Sequence, residues 1–169
     1  MALQLFKIAD VTVASPQSSI EFTSIPSGYT DLLVFLSCRG TDTGTGANDG
    51  RLTFNGSSSG YSSRLLYGIG NAVGSASNSG TYMYWIGGAV AGGHTASTFS
   101  NCSIYIPNYT SSNNKSVSSE TVNENNGTYG SQSMTAGRWS NSAAITSITL
   151  TLDYNSFATN STATLYGIL

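Results

Sequence analysis

The chain has 169 residues, a formal net charge of −2 and only 8% charged residues, and almost half of it is Ser, Thr, Asn or Gly. A typical soluble domain carries about 25% charged residues, so this surface is polar through hydroxyl and amide groups. The six Lys and Arg residues are scattered and form no basic stripe of the kind that binds nucleic acid. This composition favours a protein that assembles or adheres over a catalyst rich in acids and bases.

Short apolar or alternating runs recur along the chain, and turn-forming residues separate them. The runs cover residues 3–13, 19–23, 30–38, 51–55, 63–67, 82–86, 101–106, 115–122, 129–139, 145–152 and 161–169. No window has helical periodicity. We predict one all-β domain over residues 1–169, an antiparallel β-sandwich or jelly roll of about nine or ten short strands, with a closed barrel as the alternative.

Three Gly-rich stretches separate these runs. Residues 40–50, 68–80 and 87–98 combine Gly with Ser, Thr, Ala or Asn, which predicts loops. We expect 40–50 to be exposed and 68–80 to be flexible.

The N-terminal segment lacks the basic start and long apolar stretch of a signal peptide, and no apolar run approaches the ~20 residues of a membrane helix. We therefore expect a protein that is made in a cytoplasm, is not exported by the Sec route and does not insert into a membrane.

Residues for catalysis or metal binding are few. His94 is the single histidine, and no G-x-S-x-G motif accompanies it, so a Ser-His-Asp triad is not expected. Glu120 and Glu124 are the only close glutamates, and we interpret them as turn and rim residues rather than a glycosidase pair. We predict no enzyme activity, no catalytic residue and no cofactor.

Two further pairs of residues have alternative interpretations. Asp42 and Asp49 flank a Gly-rich loop that could supply oxygen ligands to calcium, although its order differs from that of an EF-hand; we predict no metal site. Cys38 and Cys102 lie in apolar strand-like runs, which favours two buried thiols over a disulfide.

The aromatic residues Tyr82, Tyr84 and Trp85 are the strongest candidates for a binding site, because exposed aromatic rings stack on sugars or anchor protein interfaces. In a regular strand, Tyr82 and Tyr84 share one face and Met83 and Trp85 share the other. One of these pairs is expected in the core, and the sequence does not indicate which.

Several stretches resemble a family of small proteins and tail-fibre end domains of tailed bacteriophages, notably those that infect marine bacteria and cyanobacteria. They are IEFTSIPSGYTDLLVFLSCRG (20–40), LTFNGSSSGYSSRLL (52–66), IYIPNYTSSNNKSVSSETVNENN (104–126), AITSITL (144–150) and STATLYGIL (161–169). The resemblance covers about half of the chain and implies a β-sandwich with a structural role in the virion. It supplies no catalytic residue.

Two roles follow from this resemblance. The first is a capsid decoration (cement) protein, a homo-oligomer and by expectation a trimer, that binds the major capsid protein or other virion proteins. The alternative is a tail-fibre or tail-spike component that binds a host-surface glycan through loops 40–50, 68–80 and 87–98. The expected assembly contacts lie in the terminal strands: Leu3, Leu5, Phe6, Leu165, Tyr166 and Leu169.

Overall fold

The computed structural model describes residues 4–46, 48–125 and 129–169. Within these ranges the chain forms twelve β-strands and no helix. The strands are β1 (Leu5–Thr12), β2 (Ser19–Phe22), β3 (Asp31–Ser37), β4 (Gly50–Phe54), β5 (Tyr61–Ile69), β6 (Ala72–Gly80), β7 (Met83–Tyr84), β8 (Asn101–Ile106), β9 (Lys115–Asn123), β10 (Ser131–Trp139), β11 (Ile148–Leu152) and β12 (Thr162–Ile168). The all-β prediction is confirmed, with more strands than the nine or ten expected. The described part of the chain contains no helix long and apolar enough to cross a membrane.

The strands form two antiparallel sheets of unequal size. Eight strands pair in the order β1-β12-β3-β8-β9-β10-β5-β6, and four pair in the order β2-β11-β4-β7. Alternate side chains of both sheets meet in one hydrophobic core, among them Leu32, Val34 and Leu36 of β3 and Ile148, Leu150 and Leu152 of β11. This arrangement is the predicted β-sandwich.

Aromatic packing joins the two sheets at one end of β9, β10 and β5. Phe54 of β4 lies 5.5 Å from Trp139 of β10, and Trp139 stacks on Tyr61 of β5 at 6.0 Å between ring centroids. Trp139 pairs directly with Lys115 and Tyr61 in the ladder. The first residues of β9 and β5 and the last residue of β10 therefore lie in the core.

Strand β6 corrects the expectation that residues 68–80 form a flexible loop. Ile69 ends β5, and Ala72–Gly80 returns beside it in an unbroken antiparallel ladder that runs from Ile69↔Ala72 to Tyr61↔Gly80. Small, mostly exposed side chains occupy β6, so the segment shows no apolar alternation. Backbone pairing with β5, rather than burial of side chains, specifies this strand.

Strand β7 is much shorter than the predicted strand 82–86. It comprises only Met83 and Tyr84, because Trp85 has a φ of 62°, which an extended strand does not allow. Met83 is fully buried, whereas Trp85 is partly exposed. The predicted pairing of Met83 and Trp85 on one face is therefore wrong.

Both cysteines are free and buried, as predicted. Thr121 donates a hydrogen bond to the sulfur of Cys102 at 3.3 Å. Burial raises the pKa of the Cys38 and Cys102 thiols, so both remain protonated and packed as small apolar groups.

Candidate functional site

A cleft of about 280 Å³ opens on the inner face of the eight-stranded sheet, beside β7 at the edge of the smaller sheet. Strands β9, β10, β5 and β6 supply its floor. The start of β4 and the segment after β7 supply its opposite wall. Its lining residues are Asp49, Gly50, Leu65, Tyr67, Ile69, Ala76, Trp85, Gly88, Thr121, Asn123, Tyr129, Ser131 and Ser133.

The floor carries hydroxyl and amide side chains at several inward positions near one end of the strands, beside apolar side chains of β5 and β6. Thr121, Ser133 and Tyr67 are consecutive partners across β9, β10 and β5. In the next row, Asn123 pairs with Ser131. At the other end of the same strands the inward positions belong to the core, so the cleft is continuous with the sandwich interior.

Tyr67 forms one aromatic wall of the cleft and lies over its cross-strand partner Gly74. A Cβ atom at Gly74 would lie 2.6 Å from the Cζ and hydroxyl oxygen of Tyr67. Only a glycine leaves room for the ring in this position. The absence of a side chain in β6 therefore determines where the Tyr67 ring lies.

Trp85 forms the opposite wall. Thr135 of β10 donates a hydrogen bond to the Trp85 carbonyl oxygen at 2.9 Å, which ties the segment after β7 to the sheet. The backbone at Ile86 and Gly87 approaches Gly50 so closely that a Cβ at Gly50 would meet the Ile86 carbonyl at 2.2 Å. Trp85 is thus held on a tightly packed segment.

Asn123 has an unpaired acceptor in this cleft. Its side chain is buried, with 9% of the residue exposed. The amide nitrogen contacts the Ser131 hydroxyl at 3.4 Å, whereas Oδ1 has no hydrogen-bond partner. Buried acceptors are nearly always paired, so the Oδ1 atom of Asn123, a residue that lines the cleft, is an exception.

Asp49 is the only charged side chain among the described residues that line the cleft. Burial raises the pKa of its carboxyl group, and a hydrogen bond with the Trp85 side chain partly offsets this rise. Asp49 is therefore a half-buried acceptor beside an aromatic ring.

The three aromatic residues predicted as a site separate into two groups. Trp85 lines the cleft. Tyr82 and Tyr84 are partly exposed and pack around Arg51, whose guanidinium carbon lies 4.5 Å from the Tyr82 ring centroid. Arg51 pairs with Asp153, and the Tyr84 hydroxyl also donates to that carboxylate. Tyr82 and Tyr84 thus form a cluster with Arg51 and Asp153, and none of these four residues lines the cleft.

The predicted assembly contacts near the N-terminus lie on β1, which pairs with β12. Leu3 lies outside the described residues. Leu5 is 44% exposed. Phe6 is 38% exposed, and its ring lies 5.9 Å from Tyr29.

The predicted assembly contacts near the C-terminus differ in their exposure. Leu165 is fully buried, so its prediction as an assembly contact is wrong: its side chain points into the core. Tyr166 points to the outer face of the large sheet, where its ring meets Phe35 edge-on at 5.9 Å. Leu169 is 62% exposed.

The residues considered for calcium belong to different features. Asp42 accepts hydrogen bonds from the Asn48 side chain at 2.8 Å and from the Gly92 backbone at 3.2 Å, which joins loops 40–50 and 87–98. Asp49 faces the cleft instead. No group of three or more His, Cys, Asp or Glu side chains is arranged to hold a metal ion in the described ranges.

The remaining acid–base candidates lie apart from one another. His94 stacks against Tyr129 at 5.9 Å. Glu120 is exposed on β9 and accepts a hydrogen bond from Gln132 at 3.0 Å. The Glu124 carboxylate lies close to Gly130.

Comparisons of the chain with protein-family models, with curated proteins and with solved structures return no match.

Sequence reasoning did not single out Tyr67, Asn123 or Tyr129 as site residues. One signal for part of the site is present in β9, where Ser119, Thr121 and Asn123 occupy inward positions. Polar residues at consecutive inward positions of a central strand indicate a cavity or a buried polar network. Tyr67 gives no such signal, because its role depends on Gly74 in the neighbouring strand.

Proposed function

We propose that the protein is a non-enzymatic bacteriophage virion protein that binds a host-surface saccharide in the cleft between Trp85 and Tyr67. The observation that carries this proposal is a cleft with aromatic walls whose polar lining includes Asn123, and the buried Oδ1 of Asn123 lacks a hydrogen-bond partner. Sugars present apolar faces and many hydroxyl donors. A cleft with aromatic walls and a few fixed polar groups suits that chemistry.

The inventory of the cleft supports binding without hydrolysis. Glycosidases need a pair of carboxyl groups across the scissile bond. Among the described lining residues, Asp49 is the only carboxylate. A single carboxylate among these residues is consistent with the proposal that the site binds a sugar without cleaving it.

A glycan array tests this proposal. The purified protein is expected to bind a subset of glycans, and Trp85→Ala is expected to abolish that binding. Phe35→Ala is the matched control, because Phe35 is 42% exposed on the outer face of the large sheet. Thermal unfolding establishes that both variants fold. If no glycan binds, or if Trp85→Ala binds normally, the proposal is wrong.

A capsid decoration protein is the second candidate, and the outer face of the large sheet favours it. Tyr166, Leu33 and Tyr105 are consecutive partners across β12, β3 and β8, with Phe35 beside them. Contiguous exposed apolar groups mark interaction surfaces. In this role the protein is a homo-oligomer, a trimer by expectation, that binds the major capsid protein.

Copy number in purified virions separates the two candidates. Quantitative mass spectrometry against the major capsid protein gives a ratio close to one for a decoration lattice and a very small ratio for a tail component. In the first case Phe35→Ser is expected to reduce occupancy. Absence of the protein from virions contradicts both roles.

A further inference from the structure

The described lining of the cleft carries negative charge without a compensating cation. Among the described residues that line it, Asp49 carries the only formal charge, and none is Lys or Arg. A ligand carboxylate, sulfate or phosphate in the cleft would lose water and meet a carboxylate without a compensating cation. Desolvating an unpaired charge is costly, and unpaired charges are a common means of rejecting a wrong ligand.

The charged group of the cleft also favours ligand donors. An ionised carboxylate offers about four acceptor sites and no donor, so Asp49 can accept hydrogen bonds from a ligand. Asn123 does not oppose this preference, because its amide carries two N–H donors as well as the oxygen that lacks a partner.

Resting on the proposed function, we propose that the cleft selects neutral or amino saccharides, which present hydroxyl or ammonium donors to Asp49, and rejects acidic ones. The hydroxyl groups of Ser131 and Ser133 complete the site. They donate or accept as the ligand requires, so they do not alter this preference.

The test uses an array that carries glucosamine, N-acetylglucosamine, glucose and galactose oligomers beside galacturonate oligomers and sialylated glycans. Binding to neutral or amino members alone is the expected result. Binding to acidic members with equal or greater strength overturns this inference and leaves the saccharide function standing. If no member binds, the function itself fails.

Asp49→Asn provides a second test by calorimetry at low ionic strength. The ratio of the affinity for the best neutral probe to that for a galacturonate oligomer is expected to fall by about tenfold in the variant. Asp10→Asn is the matched control, since it makes the same change in net charge at an exposed pair with Lys7. Equal discrimination by all three proteins overturns the role of Asp49.

Asn123→Leu tests the amide. Leu has the same number and branching of side-chain heavy atoms, and the unpaired buried oxygen is removed, so we expect unchanged or raised thermal stability with binding weakened by about tenfold. Unchanged binding in a folded variant excludes Asn123 from the site.

Discussion

The rings of Tyr84 and Trp85 lie 4.6 Å apart, although the two residues are consecutive in the chain. Consecutive side chains of a strand point to opposite faces. The φ of 62° at Trp85 breaks this alternation and brings its ring back beside Tyr84. One left-handed residue thus converts the end of β7 into a wall of the cleft.

This backbone conformation predicts an unusual order of stability at position 85. An L-residue in the left-handed region costs about 1–2 kcal/mol, and glycine does not bear this cost. We expect Trp85→Gly to be more stable than Trp85→Ala by about 1 kcal/mol, with saccharide binding lost in both. Urea denaturation measures the difference.

Tyr84 is the matched control for this comparison. It lies in β7 and has no positive φ, so Tyr84→Ala is expected to be more stable than Tyr84→Gly. The same order at both positions would contradict a left-handed conformation at Trp85.

The contact of Tyr67 with Gly74 predicts a variant that affects binding more than stability. In Gly74→Ala, the new methyl group meets the far end of the Tyr67 ring, so the ring is expected to swing away. We expect a change in unfolding free energy below about 1 kcal/mol and a loss of affinity of about tenfold.

Gly80→Ala is the control for this variant, because it makes the same change in the same strand and its nearest neighbour would be 3.9 Å away. Calorimetric titration with the best array ligand is the measurement. If both variants bind alike, the Tyr67 ring has no part in binding.

The cluster around Arg51 predicts coupled effects on stability. Asp153 accepts from both Arg51 and Tyr84, and its side chain is only 11% exposed. Arg51→Met or Asp153→Asn leaves a partly buried group without its partner, which we expect to cost about 1–3 kcal/mol. The double variant is expected to lose less than the sum of the two.

The exposed pair Lys7 and Asp10, with side chains 59% and 54% exposed, is the comparison pair. There, Lys7→Met and Asp10→Asn are expected to change stability by less than about 1 kcal/mol. Additive effects at Arg51 and Asp153 would show that the two side chains do not interact.

Asp49 predicts a pH dependence of stability. Its pKa is raised above the ordinary value of 3.8 in the folded protein. At pH values between the pKa of the unfolded state and that of the folded state, the folded protein therefore binds more protons than the unfolded chain. The contribution of Asp49 to stability therefore falls as the pH rises through its folded pKa.

Asp49→Asn removes this titration. The unfolding free energy of the unsubstituted protein minus that of the variant is expected to increase as the pH falls from about 7 toward about 4. Denaturation of both proteins across this range is the measurement, with Asp10→Asn as reference. A difference that is constant or declines on acidification contradicts the burial of Asp49.

Much of the sandwich was predictable because most strands bury one face. Residues 115–122 alternate clearly, and the structure extends this strand by one residue to Asn123. The strand β6 was not predictable, because small polar side chains without a buried face show no period. The left-handed backbone conformation of Trp85 was also not predictable, since aromatic residues favour strands and nothing nearby in the sequence indicates a positive φ.

The cleft was predictable only in part. The sequence predicts Trp85 as a binding residue. Tyr67 and Asn123, which line the same cleft, belong to strands that are distant from Trp85 in the chain and come near it only when the sheets pack. Chain order also does not indicate that Leu165 points inward and Tyr166 outward. That assignment depends on which face of β12 the smaller sheet covers.

The strict alternation of β10 gives one strand two separate surfaces. Ser133 faces the cleft, whereas its neighbour Met134 is 59% exposed on the opposite surface. Substitutions in one register therefore change the lining of the cleft, while those in the other change the outer face of the sheet. The two faces of the strand can thus vary independently of each other.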